Sequence, residues 1–166
     1  NFGAPGDRLD EGVLWYRYPQ IPVRIPAIKS FDPQLPVKSV ASHPRYFYRN
    51  ALRLTEGSKK WVAASGIEGL KELSIEVDKP NSPEKTFRLQ LYFAEPEDLK
   101  PGKRVFNIFV QNEKVIEELN IVEKANGVNR VLVETISNVK ATDMIHLKLE
   151  ALQGRTLLCG VSVEKL

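Results

Sequence analysis

Apolar and polar side chains alternate most cleanly from Phe87 to Phe93, where Phe87, Leu89, Leu91 and Phe93 are interleaved with Arg88 and Gln90. A period of two is that of a strand with one face buried. Phe106, Ile108 and Val110 repeat it. Two neighbouring strands are therefore expected, separated by the polar segment PEDLKPGKR, in which Pro96, Pro101 and Gly102 stop both runs. That loop is longer than a tight hairpin requires, and long loops on a rigid scaffold are where binding residues gather.

Shorter runs flank this pair. Strands are expected at Val13 to Tyr18, Phe47 to Thr55, Lys60 to Ala64, through Leu73, Ile75 and Val77, and at Val115 to Ile121, Val131 to Ile136, Ile145 to Leu149 and Leu157 to Val163. SGIEGL reads as a bend after Ala64, and Asp78 to Pro83 as a loop. Short strands at this spacing, with no convincing helical period outside Val115 to Ala125, predict an all-β sandwich. The N-terminal quarter differs: seven of the 11 prolines fall within the first 44 residues. Each proline removes a ladder donor, so residues 1–44 are expected to form one short strand and then an extended stretch laid on the sandwich through Ile21, Val23, Ile25 and Ile28.

Length and composition narrow the classes. A chain of 166 residues suits a single β-sandwich domain spanning 1–166. With 24 basic and 21 acidic residues the net charge is +3. The densest basic clusters, Lys100 to Arg104 and Ser58 to Lys60, are short and carry no interleaved aromatics, which argues against nucleic acid. No apolar run approaches the ~20 residues of a membrane span. The single cysteine, Cys159, lies in step with Leu157, Val161 and Val163 and reads as a buried small hydrophobe. The chain starts at Asn1 rather than Met, so it is expected to be a module of a longer exported bacterial protein, extracellular or periplasmic.

Beyond alternation, specific residues carry a resemblance. Leu91, Phe93, Ala94 and Glu95, then Arg104 to Ile108, then Asn112, Val115, Asn120 and Ile121 resemble the LxFAE strand and the (K/R)VFDVxxNGxxVxxxxDI segment of the malectin-like family. The closing LLCGVSVE run fits as well, and GDRLDEGVLWYRYP is similar to the family's opening; residues 85–166 match best. The resemblance implies a jelly-roll β-sandwich of the galactose-binding-like kind, a strand rather than a helix at Val115 to Ile121, and a sugar-binding role. Two departures stand out. Malectin's stacking aromatic pair falls at Glu97 and Asp98, and its ligand-binding aspartate falls near Gly154.

Candidate chemistry is sparse. His43, His146 and Cys159 are too scattered for a zinc site, and no nucleophile elbow is present. Glu95, Glu97 and Asp98 are the one local set of carboxylates that a glycosidase or a structural calcium could use, though acidic residues in such a loop usually only solvate it. No cofactor is expected. Sugar recognition wants flat rings flanked by polar donors and acceptors, which makes Trp15, Tyr16, Tyr48, Glu95, Asp98 and Arg155 the candidate ligand-binding residues. The function expected is a non-catalytic module binding a neutral oligosaccharide beside neighbouring domains of its parent chain. The alternative is a structural or protein-docking sandwich that binds no sugar.

Overall fold

Residues 1–20 and 35–166 are described by the computed structural model, so the expectation for Ile21, Val23, Ile25 and Ile28 lies outside the described residues. The elements run in the order β1 (Arg8–Asp10), β2 (Val13–Trp15), β3 (Val37–Tyr48), a 3₁₀ turn (Ala51–Arg53), α1 (Lys60–Ala63), β4 (Ser65–Glu76), β5 (Lys85–Phe93), β6 (Val105–Val110), β7 (Glu113–Leu119), α2 (Ile121–Lys124), β8 (Leu132–Ala141), β9 (Met144–Gln153), β10 (Leu157–Leu158) and β11 (Gly160–Lys165). All strand pairing is antiparallel. One sheet has β4 between β3 and β9, continuing through β6 to β7, with β10 added to β4. The second sheet has the order β11-β5-β8, and β1-β2 is a separate hairpin.

The alternation read at Phe87 to Phe93 sets the core. Phe87, Leu89, Leu91 and Phe93 on β5 are buried together with Phe106, Ile108 and Val110 on β6, and the Phe93 and Phe106 rings lie 6.1 Å apart. These two strands do not pair, contrary to expectation: β5 hydrogen-bonds β8 and β11, while β6 bonds β7 and β9. The intervening loop crosses from one sheet to the other, which is why it is too long for a hairpin. The last strand also splits. β10 pairs with β4 in the larger sheet and β11 with β5 in the smaller one, with the change of sheet at Cys159.

Several other expectations are corrected. Phe47 to Thr55 is not one strand, because β3 stops at Tyr48 and the Asn50 side chain accepts from the Leu52 N–H at 2.9 Å, capping a 3₁₀ turn. Lys60 to Ala63 is a single helical turn that buries Val62 and Ala63. SGIEGL is the first half of β4 rather than a bend. Its Gly69, at φ +79°, sits where the β3–β4 register shifts between Val40 and Arg45, so the glycine that reads as a breaker is a bulge residue. Residues 1–44 hold more than the one short strand expected: β1 pairs with β2, and β3 begins at Val37 and runs through Pro44, which an edge strand tolerates at such an irregularity. Val115 to Ile121 divides into the end of β7 and the start of α2, whose N-cap Asn120 accepts from the Glu123 N–H at 3.4 Å. Among the described residues no helix is long and apolar enough to cross a membrane.

Phe106 and Leu91 are each 0% exposed. Truncating either to Ala is expected to destabilise the fold by ~2–5 kcal/mol in urea unfolding, the range for large core side chains; a loss below ~0.5 kcal/mol would contradict the inner-face assignment.

Candidate functional site

At the end of β5 the chain leaves the sheet with a carboxylate that water does not reach: Glu95 is 0% exposed. Its partner is Arg104, one residue before β6, whose Nε donates to Glu95 Oε2 at 2.7 Å and whose Nη2 donates to Glu95 Oε1 at 3.2 Å. Arg104 Nη2 also reaches Glu68 Oε1 on β4 at 3.1 Å, and Nη1 donates to the backbone carbonyl of Arg155 at 3.0 Å. Glu68 in turn accepts both Nε and Nη2 of Arg45 on β3 at 2.8 Å. Arg45 extends the chain to Glu97, whose own N–H donates to Glu95 Oε1 at 3.2 Å. The 94–104 loop is thus tied at both ends to β3, β4 and the 154–156 turn.

Burying a charge is unfavourable unless it is paired and hydrogen-bonded. Here Glu68, Glu95 and Arg104 are 1%, 0% and 4% exposed, and each is bonded through its charged atoms. Burial pushes the Glu68 carboxyl up, but the hydrogen bonds and charges of Arg45 and Arg104 outweigh it and hold that carboxyl below the usual glutamate range.

Above this network the surface opens into a cleft of about 400 Å³, walled by Arg45, Glu97, Leu99, Lys103, Gly154 and Arg155. A second cleft of about 470 Å³ adjoins it through Gly154 and Arg155 and is lined by His43, Lys71, Glu72, Lys148, Glu150 and Thr156. The fork where β4 leaves β9 to pair with β10 creates this second hollow. Gly154 adopts φ +69°, and a Cβ there would lie 2.5 Å from the Lys103 carbonyl oxygen, so the turn presses directly on the loop that precedes β6.

Of the residues selected from sequence, Glu95 and Arg155 are brought together, bridged by Arg104. Glu95 is beneath the cleft rather than on its wall. Asp98 is exposed in the same loop, next to Glu97. Tyr48 is 63% exposed at the end of β3 and does not line the cleft. Trp15 is 6% exposed, with its ring edge-on to Trp61 at 5.3 Å and Tyr92 at 5.4 Å, so it belongs to the core. Tyr16 lines a separate hollow with Leu14 and Tyr18. Sequence reading missed Arg45, Glu68 and Arg104. Glu68 left a trace, as a lone carboxylate between apolar Ile67 and Leu70.

No group of three or more His, Cys, Asp or Glu suited to a metal exists among the described residues. Of the loop carboxylates considered for calcium, Glu95 and Glu97 are taken up by the guanidinium groups of Arg104 and Arg45, which leaves Asp98 alone. Cys159 is fully buried, and burial pushes its thiol up to about 12.

Residues 71–164 match the malectin domain, more than half of the chain. The chain belongs to the malectin family. A search of curated proteins finds no match. Among solved structures, the ANXUR2 extracellular domain from Arabidopsis thaliana superposes with a TM-score of 0.70 at 15% identity, covering 99% of this chain and 47% of that one. ANXUR1 from the same plant gives 0.68 at 15% identity, over 99% and 46%. A Bacteroides uniformis β-glucuronidase gives 0.67 at 12% identity, over 94% of this chain and 16% of the enzyme. At these identities the likeness is one of fold. Measured against these structures, the malectin domain spans about half of the ANXUR ectodomains and a sixth of the glucuronidase. Its sequence match includes Glu95, Arg104 and Arg155, while Arg45 and Glu68 lie before it. Glu97 and Gly154 both line the first cleft.

Removing one partner from a buried ion network leaves the other uncompensated, so Arg104→Met is expected to destabilise the domain by ~3–5 kcal/mol in urea unfolding. Because the folded Glu68 pKa is depressed, its contribution is complete above the ordinary value near 4.5 and is lost as pH falls through the lower folded value. The stability gap between wild type and Glu68→Gln should therefore stay level at neutral pH and shrink below pH 4.5; a gap independent of pH down to acid unfolding would contradict the pairing. For Cys159, a pKa of about 12 leaves roughly one thiol in ten thousand ionised at pH 8. A disulfide-forming thiol reagent is expected to label it only after denaturation, and rapid labelling of native protein would place it at the surface.

Proposed function

We propose that this malectin-family domain is a non-catalytic carbohydrate-binding module whose ligand, an oligosaccharide, lies in the cleft bounded by Arg45, Glu97, Lys103 and Arg155. The observation that carries the reading is a polar cleft of about 400 Å³ on a malectin-family domain, into which Arg45, Glu97, Lys103 and Arg155 bring hydrogen-bonding groups. The carboxylates there are saturated by guanidinium hydrogen bonds, whereas glycoside hydrolysis needs one carboxyl to donate a proton and a second to act on the sugar. Sugar recognition was expected to use stacking rings, and among the described residues no aromatic ring lines this cleft. Hydrogen bonds from guanidinium, ammonium and carboxylate groups replace that contact.

A second reading is favoured by one observation. Leu9 and Val13 on the N-terminal hairpin are 70% and 54% exposed, and Leu14 is 48% exposed. The ANXUR and glucuronidase structures each hold this fold within a longer chain, and apolar side chains on one hairpin suit a docked neighbour in a multidomain exported bacterial protein.

A glycan array probed with the isolated chain and with Arg155→Ala separates the two. Arg155 is exposed and its side chain makes one hydrogen bond, to the His43 carbonyl at 3.3 Å, so its loss should leave the fold intact. Binding to defined glycans that the variant weakens at least about tenfold is expected. Absence of binding to every glycan would favour docking through the hairpin.

A further inference from the structure

The cleft's negative charges are internally committed and two of its positive charges are not. Glu68 is held by Arg45 and Arg104, Glu95 by Arg104, and Glu97 by Arg45 with Arg104 at 3.6 Å. Among the described residues, Arg155 and Lys103 pair with no carboxylate, and the Arg155 guanidinium uses only Nη1, on the His43 carbonyl at 3.3 Å. These two cations arise from abutting backbone segments, since a Cβ on Gly154 would stand 2.5 Å from the Lys103 carbonyl oxygen. The Arg155 backbone is itself anchored from below by Arg104, which is 4% exposed, at 3.0 Å. The result is one cleft lined by both an arginine and a lysine that pair with no carboxylate among the described residues, the arginine standing where two clefts meet.

What such a pair selects follows from the lack of a ring. A sugar in this cleft gains nothing from stacking, and hydrogen bonds to neutral hydroxyls are individually weak. Bonds to an ionised acceptor are roughly twice as strong as neutral ones, and a planar carboxylate matches the guanidinium fork. Resting on the carbohydrate-binding reading above, we propose that the cleft is an acidic-sugar site, in which Arg155 and Lys103 receive the carboxylate of a uronic-acid residue in an oligosaccharide.

Calorimetric titration of the chain with three probes tests this: a uronic-acid hexasaccharide, the same hexasaccharide after reduction of its carboxyls to alcohols, and a sulfated neutral hexasaccharide. Wild type is compared with Arg155→Ala, Arg155→Lys and Lys103→Ala, each checked for an unchanged unfolding midpoint. The acidic sugar is expected to bind about tenfold or more tighter than its reduced form. Arg155→Ala should abolish that preference, Arg155→Lys should restore it in part, and added salt should weaken acidic-sugar binding. Equal affinity for acidic and reduced sugars overturns the acidic assignment while leaving the carbohydrate-binding reading standing. Tighter binding of the sulfated probe overturns the carboxylate assignment. Failure of all three probes to bind overturns both readings.

Discussion

A guanidinium group sealed under a loop holds the cleft end of this domain together. Arg104 uses every nitrogen: Nε and Nη2 on Glu95, Nη2 also on Glu68, and Nη1 on the Arg155 carbonyl. Through these bonds the start of β6 is fixed to the end of β5, to β4 and to the 154–156 turn. Thr156 adds to this tie, accepting from the Gly69 N–H at 3.0 Å and donating to the Leu70 carbonyl at 2.5 Å on β4. Directional hydrogen bonds to buried charge tie these segments together beneath the cleft.

The core and the cleft answer to different physics. Across the sandwich, Phe93 and Phe106 meet between sheets and the alternation of β5 gives a dry inner face. Its outer face is covered as well near Tyr92, where Trp15 packs edge-on from the N-terminal hairpin. That contact explains how a Pro-rich N-terminal region contributes: it brings one large ring over a residue that the sheet alone would leave in water.

How much of this was legible follows from the range over which each signal acts. Period-two patterning is local, so β5, β6, β8 and β9 could be read from Phe87, Phe106, Val131 and Ile145 onward. Sheet membership is not local, and β5 and β6 were therefore joined as neighbours although they face each other across the core. Glycine misled at Gly69, where a bulge and a bend demand the same positive φ. At the site, Glu95 and Arg155 could be selected as strand-end and loop residues, but Trp15 looked equally available because burial depends on Trp61 and Tyr92 far along the chain. Arg45 and Glu68 were invisible as a pair, since an ion pair 23 residues apart leaves no spacing to read.

The change of sheet at Cys159 governs how the molecule can assemble. Leu157 and Leu158 complete the edge of β4, and seven positions after Leu158 Lys165 still pairs with Phe87 on β5. The 157–165 segment is thus the seam through which the two sheets are sewn. Neither layer has its full set of neighbours until residues more than 70 positions apart have met. Long-range closure of this kind is slow relative to local hairpin formation. Until residues 157–165 have paired, the sandwich is therefore open-sided, with the edges of β4 and β5 that they cover left unpaired.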